Sequence, residues 1–127
     1  EEMISNKNND ICADPRFLKA LELFNSSKWY LAHDVFEELW HENNGPERIT
    51  LQGLLQVAVA QVHLDNGNLN GATILFGEGL GRLRKRGTPD LGLDLEELCK
   101  KVEFRLKLLQ RDKDTNFLEA PLINFRG

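Results

Sequence analysis

The feature that most limits how this chain can fold is one stretch, from about Glu47 to Asn66, that is apolar on nearly every side. Its apolar residues cover every direction around a helix with about 3.6 residues per turn: Leu54, Leu55, Val57, Ala58, Val59, Ala60, Val62 and Leu64. A helix of this kind is stable in water only when other elements surround it. At about 1.5 Å per residue it would be roughly 30 Å long, enough to cross a small domain. We therefore predict a buried central helix.

Amphipathic helices are predicted on both sides of this central segment, because apolar residues recur there at spacings of three and four. Asp14 followed by Pro15 is typical of a helix start, and the breaks at 44–46 and 66–68 contain glycine, asparagine or proline. The predicted helices run from about Pro15 to Ser26, Trp29 to Asn43, Glu47 to Asn66, Leu69 to Lys85 and, after a cap at Asp94, Leu95 to Arg111. The predicted fold is all-α, a five-helix bundle around a buried central helix with an extended C-terminal tail.

Four glycines lie inside the fourth predicted helix, namely Gly71, Gly77, Gly79 and Gly81. Each of them costs roughly 1 kcal/mol of helix propensity relative to alanine. Such a density predicts either close packing against a neighbouring helix or a bend or break near residues 77–81.

A length of 127 residues predicts a single domain with one hydrophobic core. We divide it into an N-terminal extension (1–13), a helical bundle (14–111) and a C-terminal tail (112–127). The tail is too apolar between Phe117 and Phe125 for a loose end, so we expect it to lie over the bundle or against a partner. That partner could be another protein or a second copy of the chain, as in a homo-oligomer.

Composition and charge argue against several functional classes. The formal net charge is -4 and the pI is near 5.4, so the chain as a whole does not attract nucleic acid. A basic cluster at residues 82–86 is predicted to complement the dipole at the end of the fourth helix. No apolar run reaches the roughly 18 residues of a membrane span. The two cysteines, Cys12 and Cys99, are too few for a disulfide scaffold and predict a reducing, cytoplasmic location.

Two polar stripes interrupt the apolar faces of the second and third predicted helices. At about 100° per residue, the members of each stripe share one edge of their helix. They are His33, Glu37 and Trp40 on the second helix, and Gln52, Gln56 and His63 on the third. Because antiparallel neighbouring helices would turn these stripes toward each other, we expect all of them except Trp40 to be each other's hydrogen-bonding partners.

Three interpretations of this cluster remain open from the sequence. In the first, it is a structural network that holds the two helices in register. In the second, it binds a small ligand or a divalent metal, with His33, Glu37 and His63 as metal ligands. In the third, Glu37 is the general base of a metal-dependent hydrolase. The sequence requires no cofactor, and our leading prediction is a domain that binds a small molecule or a protein through these stripes rather than an enzyme.

Three blocks of this sequence follow one another in a characteristic order. They are His33-Asp34-Val35-Phe36-Glu37-Glu38-Leu39-Trp40, Gln52-Gly53-Leu54-Leu55-Gln56-Val57-Ala58 and Gly67-Asn68-Leu69-Asn70-Gly71-Ala72. With these blocks, the stretch from about Phe17 to Leu83 resembles the domain-of-unknown-function family 309. The residues that match the family motif are His33, Glu37, Trp40, Gln52, Gln56, Asn68 and Gly71, whereas His41 departs from it because arginine is more usual there. The resemblance implies a compact helical bundle with a buried central helix, similar to a helical domain that follows the catalytic part of hyaluronidases, and implies no activity.

A weak internal repeat indicates an alternative function. Residues 25–40 can be laid over residues 65–80 at an offset of 40, which pairs Ala32 with Ala72 and Phe36 with Phe76. Duplicated helical hairpins are typical of tetratricopeptide-like modules, although the repeat there is about 34 residues. The alternative prediction is therefore a peptide-binding module of that kind.

Overall fold

The computed structural model describes residues 10–116 and 118–127. After a 3₁₀ turn at Ile11–Ala13, the helices are α1 (Pro15–Asn25), α2 (Trp29–Glu42), α3 (Glu47–Asp65), α4 (Leu69–Arg84) and α5 (Leu95–Gln110). Each helix begins where it is predicted and ends about one residue before its predicted end. Within the described ranges there is no strand, only an antiparallel bridge between Leu93 and Phe125. The predicted all-α five-helix bundle is confirmed.

Helix α3 is the centre of the bundle. Its buried residues point in every direction, and Leu51, Leu54, Val57 and Ala58 have no exposed surface. Helix α2 packs along one side of α3 and α4 along the other, while α1 packs on α2 and α5 packs on α4. The prediction of a buried central helix is therefore correct. None of the helices described is long and apolar enough to cross a membrane.

Helices α3 and α4 pack closely at two glycines, Gly53 and Gly79. A Cβ atom built on Gly79 would lie 3.0 Å from the carbonyl oxygen of Gly53 and 3.0 Å from Cγ2 of Val57. A Cβ atom built on Gly53 would lie 2.7 Å from Cδ2 of Leu83. Helix α4 nevertheless runs unbroken to Arg84. Close packing therefore explains Gly79, and the alternative of a helix break is wrong.

The α1–α2 and α3–α4 hairpins turn in the same way, in agreement with the internal repeat. Ser27 and Gly67 occupy equivalent positions and have left-handed φ angles of 62° and 78°. In each turn the following amide donates to a carbonyl oxygen of the preceding helix, over 2.9 Å from Lys28 and 2.8 Å from Asn68. The repeat in the sequence thus corresponds to two similar hairpins, whereas the peptide-binding function stays a prediction.

The described part of the C-terminal tail lies against the bundle. Pro121 and Ile123 are buried, and the side-chain amide of Asn25 bonds both the N–H and the C=O of Ile123, at 2.8 and 2.9 Å. The bridge at Phe125 adds contact with the segment between α4 and α5. Asn25, at the end of α1, is therefore a polar anchor of the tail. Phe117 lies outside the described residues.

Part of the predicted N-terminal extension also packs on the helices. Ile11, in the 3₁₀ turn, is only 7% exposed. The thiol of Cys12 donates to the carbonyl oxygen of Leu91 over 3.5 Å. Residues 10–13 thus form part of the folded unit, and residues 1–9 lie outside the described residues.

Candidate functional site

Gln56 shows that the α3 stripe faces α4 rather than α2. Its Nε2 donates to Oε1 of Glu78 over 3.1 Å, and its Oε1 accepts from Nη1 of Arg82 over 3.2 Å. Both partners belong to α4. The prediction that the five polar residues are each other's partners is therefore wrong for Gln56. The physical reason is the glycine contact, which brings α4 close enough to α3 for their side chains to pair.

His63 has a local structural role at the start of α4. Its Nδ1 lies 3.1 Å from Nδ2 of Asn68, whose Oδ1 accepts from the amide of Gly71 over 3.0 Å. Asn68 is thus the N-cap of α4, held in place by the imidazole. A Cβ atom on Gly71 would lie 2.7 Å from Nδ2 of Asn68, so glycine leaves room for the cap. These contacts explain His63, Asn68 and Gly71 by their structural roles, with no need for a bound ligand.

His33 groups with Asp34 and Glu37 on α2, and His63 is not part of this group. The ligand atoms of the three residues lie within 4.8 Å of one another. However, Nδ1 of His33 is 3.3 Å from Oδ1 of Asp34, whereas Nε2 is 3.9 Å from Oε1 of Glu37. An imidazole gives only one of its nitrogens to a metal ion. Here each carboxylate lies next to a different nitrogen of His33, so the two carboxylates do not face the same ligand atom. The group that could hold a metal ion therefore contains Asp34 and not His63, and the metal site itself stays a prediction.

Trp40 positions an arginine at the start of α3. The guanidinium of Arg48 lies over the indole ring, 4.0 Å from its centroid, and Nε of Arg48 donates to the carbonyl oxygen of Trp40 over 3.2 Å. Cation–π contact and hydrogen bond together hold one orientation of a long side chain. Nε1 of Trp40 is buried and has no partner among the described residues. The predicted site residue Trp40 therefore orients the side chain of Arg48.

A cleft opens where the N-terminal end of α3 meets the C-terminal end of α4. Its volume is about 680 Å³. We call it the cationic cleft, and its polar side chains are Arg48, Gln52, Arg82, Lys85, Arg86 and Thr88. Of the residues predicted from the sequence, only Gln52 lines it directly, while Trp40 and Gln56 hold two of its arginines.

Among the described residues, the four cations of the cleft have no carboxylate partner, unlike Arg16 and Arg84. Arg16 pairs with Asp14, Glu38 and Glu42, and the hydrogen bonds that it donates hold the pKa values of Asp14 and Glu42 below their usual range. Arg84 pairs likewise with Glu103. Among the residues that the structure describes, no carboxylate lies within 4.0 Å of the charged nitrogens of the cleft cations: Arg48, Arg82, Lys85 and Arg86.

The basic cluster that is predicted to complement the helix dipole is also the sequence signal for this cleft. Residues 82–86 form the basic cluster, and Arg48 precedes Gln52 by one helical turn on the same face of α3. What the sequence does not show is that the α3–α4 hairpin brings these two basic segments to one end of the bundle. The predicted stripe therefore leads to the site but does not contain its charges.

Comparison with known proteins agrees with the predicted family. Residues 17–75 match the family model described as Domain of unknown function (DUF309). No curated protein sequence matches the chain. The matched range contains most of α1, all of α2 and α3, and the start of α4, together with Trp40, Arg48 and Gln52. It ends before the basic residues at the end of α4.

Proposed function

We propose that this chain, which matches the DUF309 family model over residues 17–75, is a binding domain whose cationic cleft binds a small polyanionic ligand such as a compound with two or more phosphate groups. The observation that carries the proposal is that four cations line one cleft and have no carboxylate partner in the described part of the chain, in a protein of net charge -4. A bound anion would relieve the repulsion among these cations.

The shape of the cleft supports a small ligand. A volume of about 680 Å³ lies within the range of small-molecule sites, about 300 to 1,000 Å³. Arginine guanidinium groups bind phosphate oxygens through paired hydrogen bonds, and Gln52 adds an amide donor. Part of the site is also fixed in advance, because Trp40 holds Arg48 and Gln56 holds Arg82. Three residues predicted from the sequence thus support the proposed site.

Tripolyphosphate is a suitable probe, titrated against the protein by calorimetry. We expect saturable binding, with a Kd that rises about tenfold or more in Arg86→Gln, because one charge-assisted interaction is lost. Arg84→Gln is the matched control: it removes the same charge from the same helix end, but Arg84 pairs with Glu103 outside the cleft. Its Kd should stay within about twofold of the unmodified protein, since exposed distant charges are screened by salt.

Other outcomes of this titration contradict the proposal. If tripolyphosphate does not bind at low salt, the proposed polyanion site is wrong. Equal weakening by Arg84→Gln and Arg86→Gln would mean that only general charge attracts the probe. Binding of single-stranded RNA without binding of tripolyphosphate would replace the small ligand by a nucleic acid.

A metal-dependent hydrolase is the second candidate, favoured by the group of His33, Asp34 and Glu37. A zinc ion bound there would raise the melting temperature of the unmodified protein by mass action. It would not do so in His33→Asn, whereas the control His41→Asn, altered on the same helix, would keep the effect. Because the two ring nitrogens of His33 face different carboxylates, we expect zinc to produce no His33-dependent shift; such a shift would favour the hydrolase.

We place this binding domain in the cytoplasm. Its support is cysteine usage: Cys12 and Cys99 are both free thiols, the first exposed and the second buried. Burial is the main cause that raises the pKa of both thiols, so they stay protonated at neutral pH.

A further inference from the structure

A second cavity lies at the other end of α3, between that helix, α5 and the tail. It has a volume of about 420 Å³. We call it the tail cavity, and the residues that matter to its chemistry are Trp29, Gln61, Asp65, Arg105 and Asn116. It shares no lining residue with the cationic cleft.

Arg105 is a buried cation in the wall of this cavity. Its residue exposure is only 5%, and burial lowers the pKa of the guanidinium. Its Nη2 donates to the carbonyl oxygen of Glu119, but no carboxylate in the described parts of the chain forms an ion pair with it. A buried charge without a counter-ion costs several kcal/mol. An anionic group bound inside the cavity would therefore stabilise the guanidinium of Arg105.

Gln61, on α3, presents a hydrogen-bond acceptor to the same cavity. The residue is 7% exposed, and its Oε1 is buried without a hydrogen-bonding partner in the described residues. Its Nε2 lies 3.5 Å from Oδ1 of Asp65, whose carboxylate also lines the cavity. A buried acceptor without a donor costs about 1 to 3 kcal/mol. A hydrogen-bond donor bound at this wall would therefore pair with Oε1 of Gln61. If that donor were cationic, it would also form an ion pair with the carboxylate of Asp65.

We propose that the tail cavity binds a small zwitterion of the α-amino-acid class, with its carboxylate on Arg105 and its ammonium group on Asp65 and Oε1 of Gln61. A simple anion would leave Gln61 without a donor, and a simple cation would leave Arg105 without a counter-ion. Water can donate to Gln61 but cannot neutralise a buried guanidinium. The remaining lining mixes small polar residues with apolar ones, and the apolar ones would contact a short apolar side chain of the ligand: Trp29, Leu64, Leu118 and Ala120.

L-alanine, propionate and ethylammonium form a matched set of probes, because each of the last two lacks one charged group of the first. Titration is followed by NMR through the side-chain amide of Gln61 and the Nε–H of Arg105. We expect L-alanine to shift both signals until they saturate. The other two probes should bind at least about tenfold more weakly, because each lacks one charge-assisted interaction.

Variants separate binding from folding. Arg105→Met should lose the response to L-alanine while its melting temperature stays equal or rises, because an apolar side chain of similar length removes the cost of burying the charge. Gln61→Met should weaken L-alanine binding and leave Arg105 in place. Arg111→Met, an exposed change beyond the end of the same helix, is the control and should leave Kd unchanged.

Two results would overturn the proposal. One is propionate binding as tightly as L-alanine, which would make the cavity a simple anion site. The other is no response of either side chain to L-alanine in the unmodified protein. The Arg86→Gln variant should bind L-alanine normally, so the outcome is independent of the cationic cleft.

Discussion

Replacing Gly79 with alanine should lower the free energy of unfolding by about 1 to 2 kcal/mol, whereas the same change at Gly81 should raise it by about 0.5 to 1 kcal/mol. Both residues lie in α4, and both gain helix propensity. The new Cβ at Gly79 would press on the backbone of α3, whose carbonyl oxygen at Gly53 cannot move unless the helices separate. Nothing lies within 4 Å of a Cβ at Gly81. Chemical denaturation of both variants measures the difference.

A double-mutant cycle tests the same contact from α3. Gly53→Ala places its Cβ 2.7 Å from Cδ2 of Leu83, a buried side chain, and should cost about 1 to 3 kcal/mol. In a Leu83→Ala background that space is free, so Gly53→Ala should cost much less or nothing there. Additive costs at Gly53 and Leu83, or equal stabilisation by Gly79→Ala and Gly81→Ala, would show that the helices do not meet at these residues.

Replacing Ile123 with alanine should destabilise the protein by about 2 to 4 kcal/mol, although this residue lies only a few positions from Gly127. Ile123 is 3% exposed, while its neighbour Leu122 is 41% exposed. Leu122→Ala is therefore the matched control and should change stability by no more than about 0.5 kcal/mol. Thermal and denaturant unfolding of the two variants compares a docked side chain with an exposed one.

The polar anchor of the tail provides the second half of this prediction. Asn25→Ala removes both hydrogen bonds to Ile123 and should cost about 1 to 3 kcal/mol, because the backbone groups of a buried residue lose their partners. The amide of Ile123 should also lose protection against hydrogen exchange. Since Asn25 and Ile123 act on the same docking, the double variant should cost less than the sum. Equal effects of Ile123→Ala and Leu122→Ala would contradict the docked tail.

Local signals explain why the helices could be predicted closely from the sequence. Asp14 and Asp94 accept hydrogen bonds from the amides of Arg16 and Glu97, as residues at helix starts commonly do. Gly67 takes a left-handed φ of 78° at a turn. Each of these preferences depends on residues a few positions apart, so no knowledge of the tertiary structure is needed.

The candidate site was predicted less well, because a stripe on one helix does not identify the helix that it faces. Gln56 is buried and hydrogen-bonded as expected, but its partners, Glu78 and Arg82, lie on α4 rather than α2. His63 is polar for a different reason, since it supports the cap of α4. Of the predicted residues, His33 and Glu37 do lie together, joined by Asp34.

The sequence by itself determined the all-α class, the bounds of the five helices, the burial of α3 and the match of residues 17–75 to the DUF309 family model. These properties follow from hydrophobic periodicity and from short-range capping and turn preferences. Only the tertiary structure decided which charges meet. The contact of Gly53 with Gly79 sets α4 against the polar side of α3, and the hairpin then brings Arg48 to the basic end of α4. Such long-range pairings depend on how two helices are rotated and spaced against each other, which periodicity along one helix does not specify.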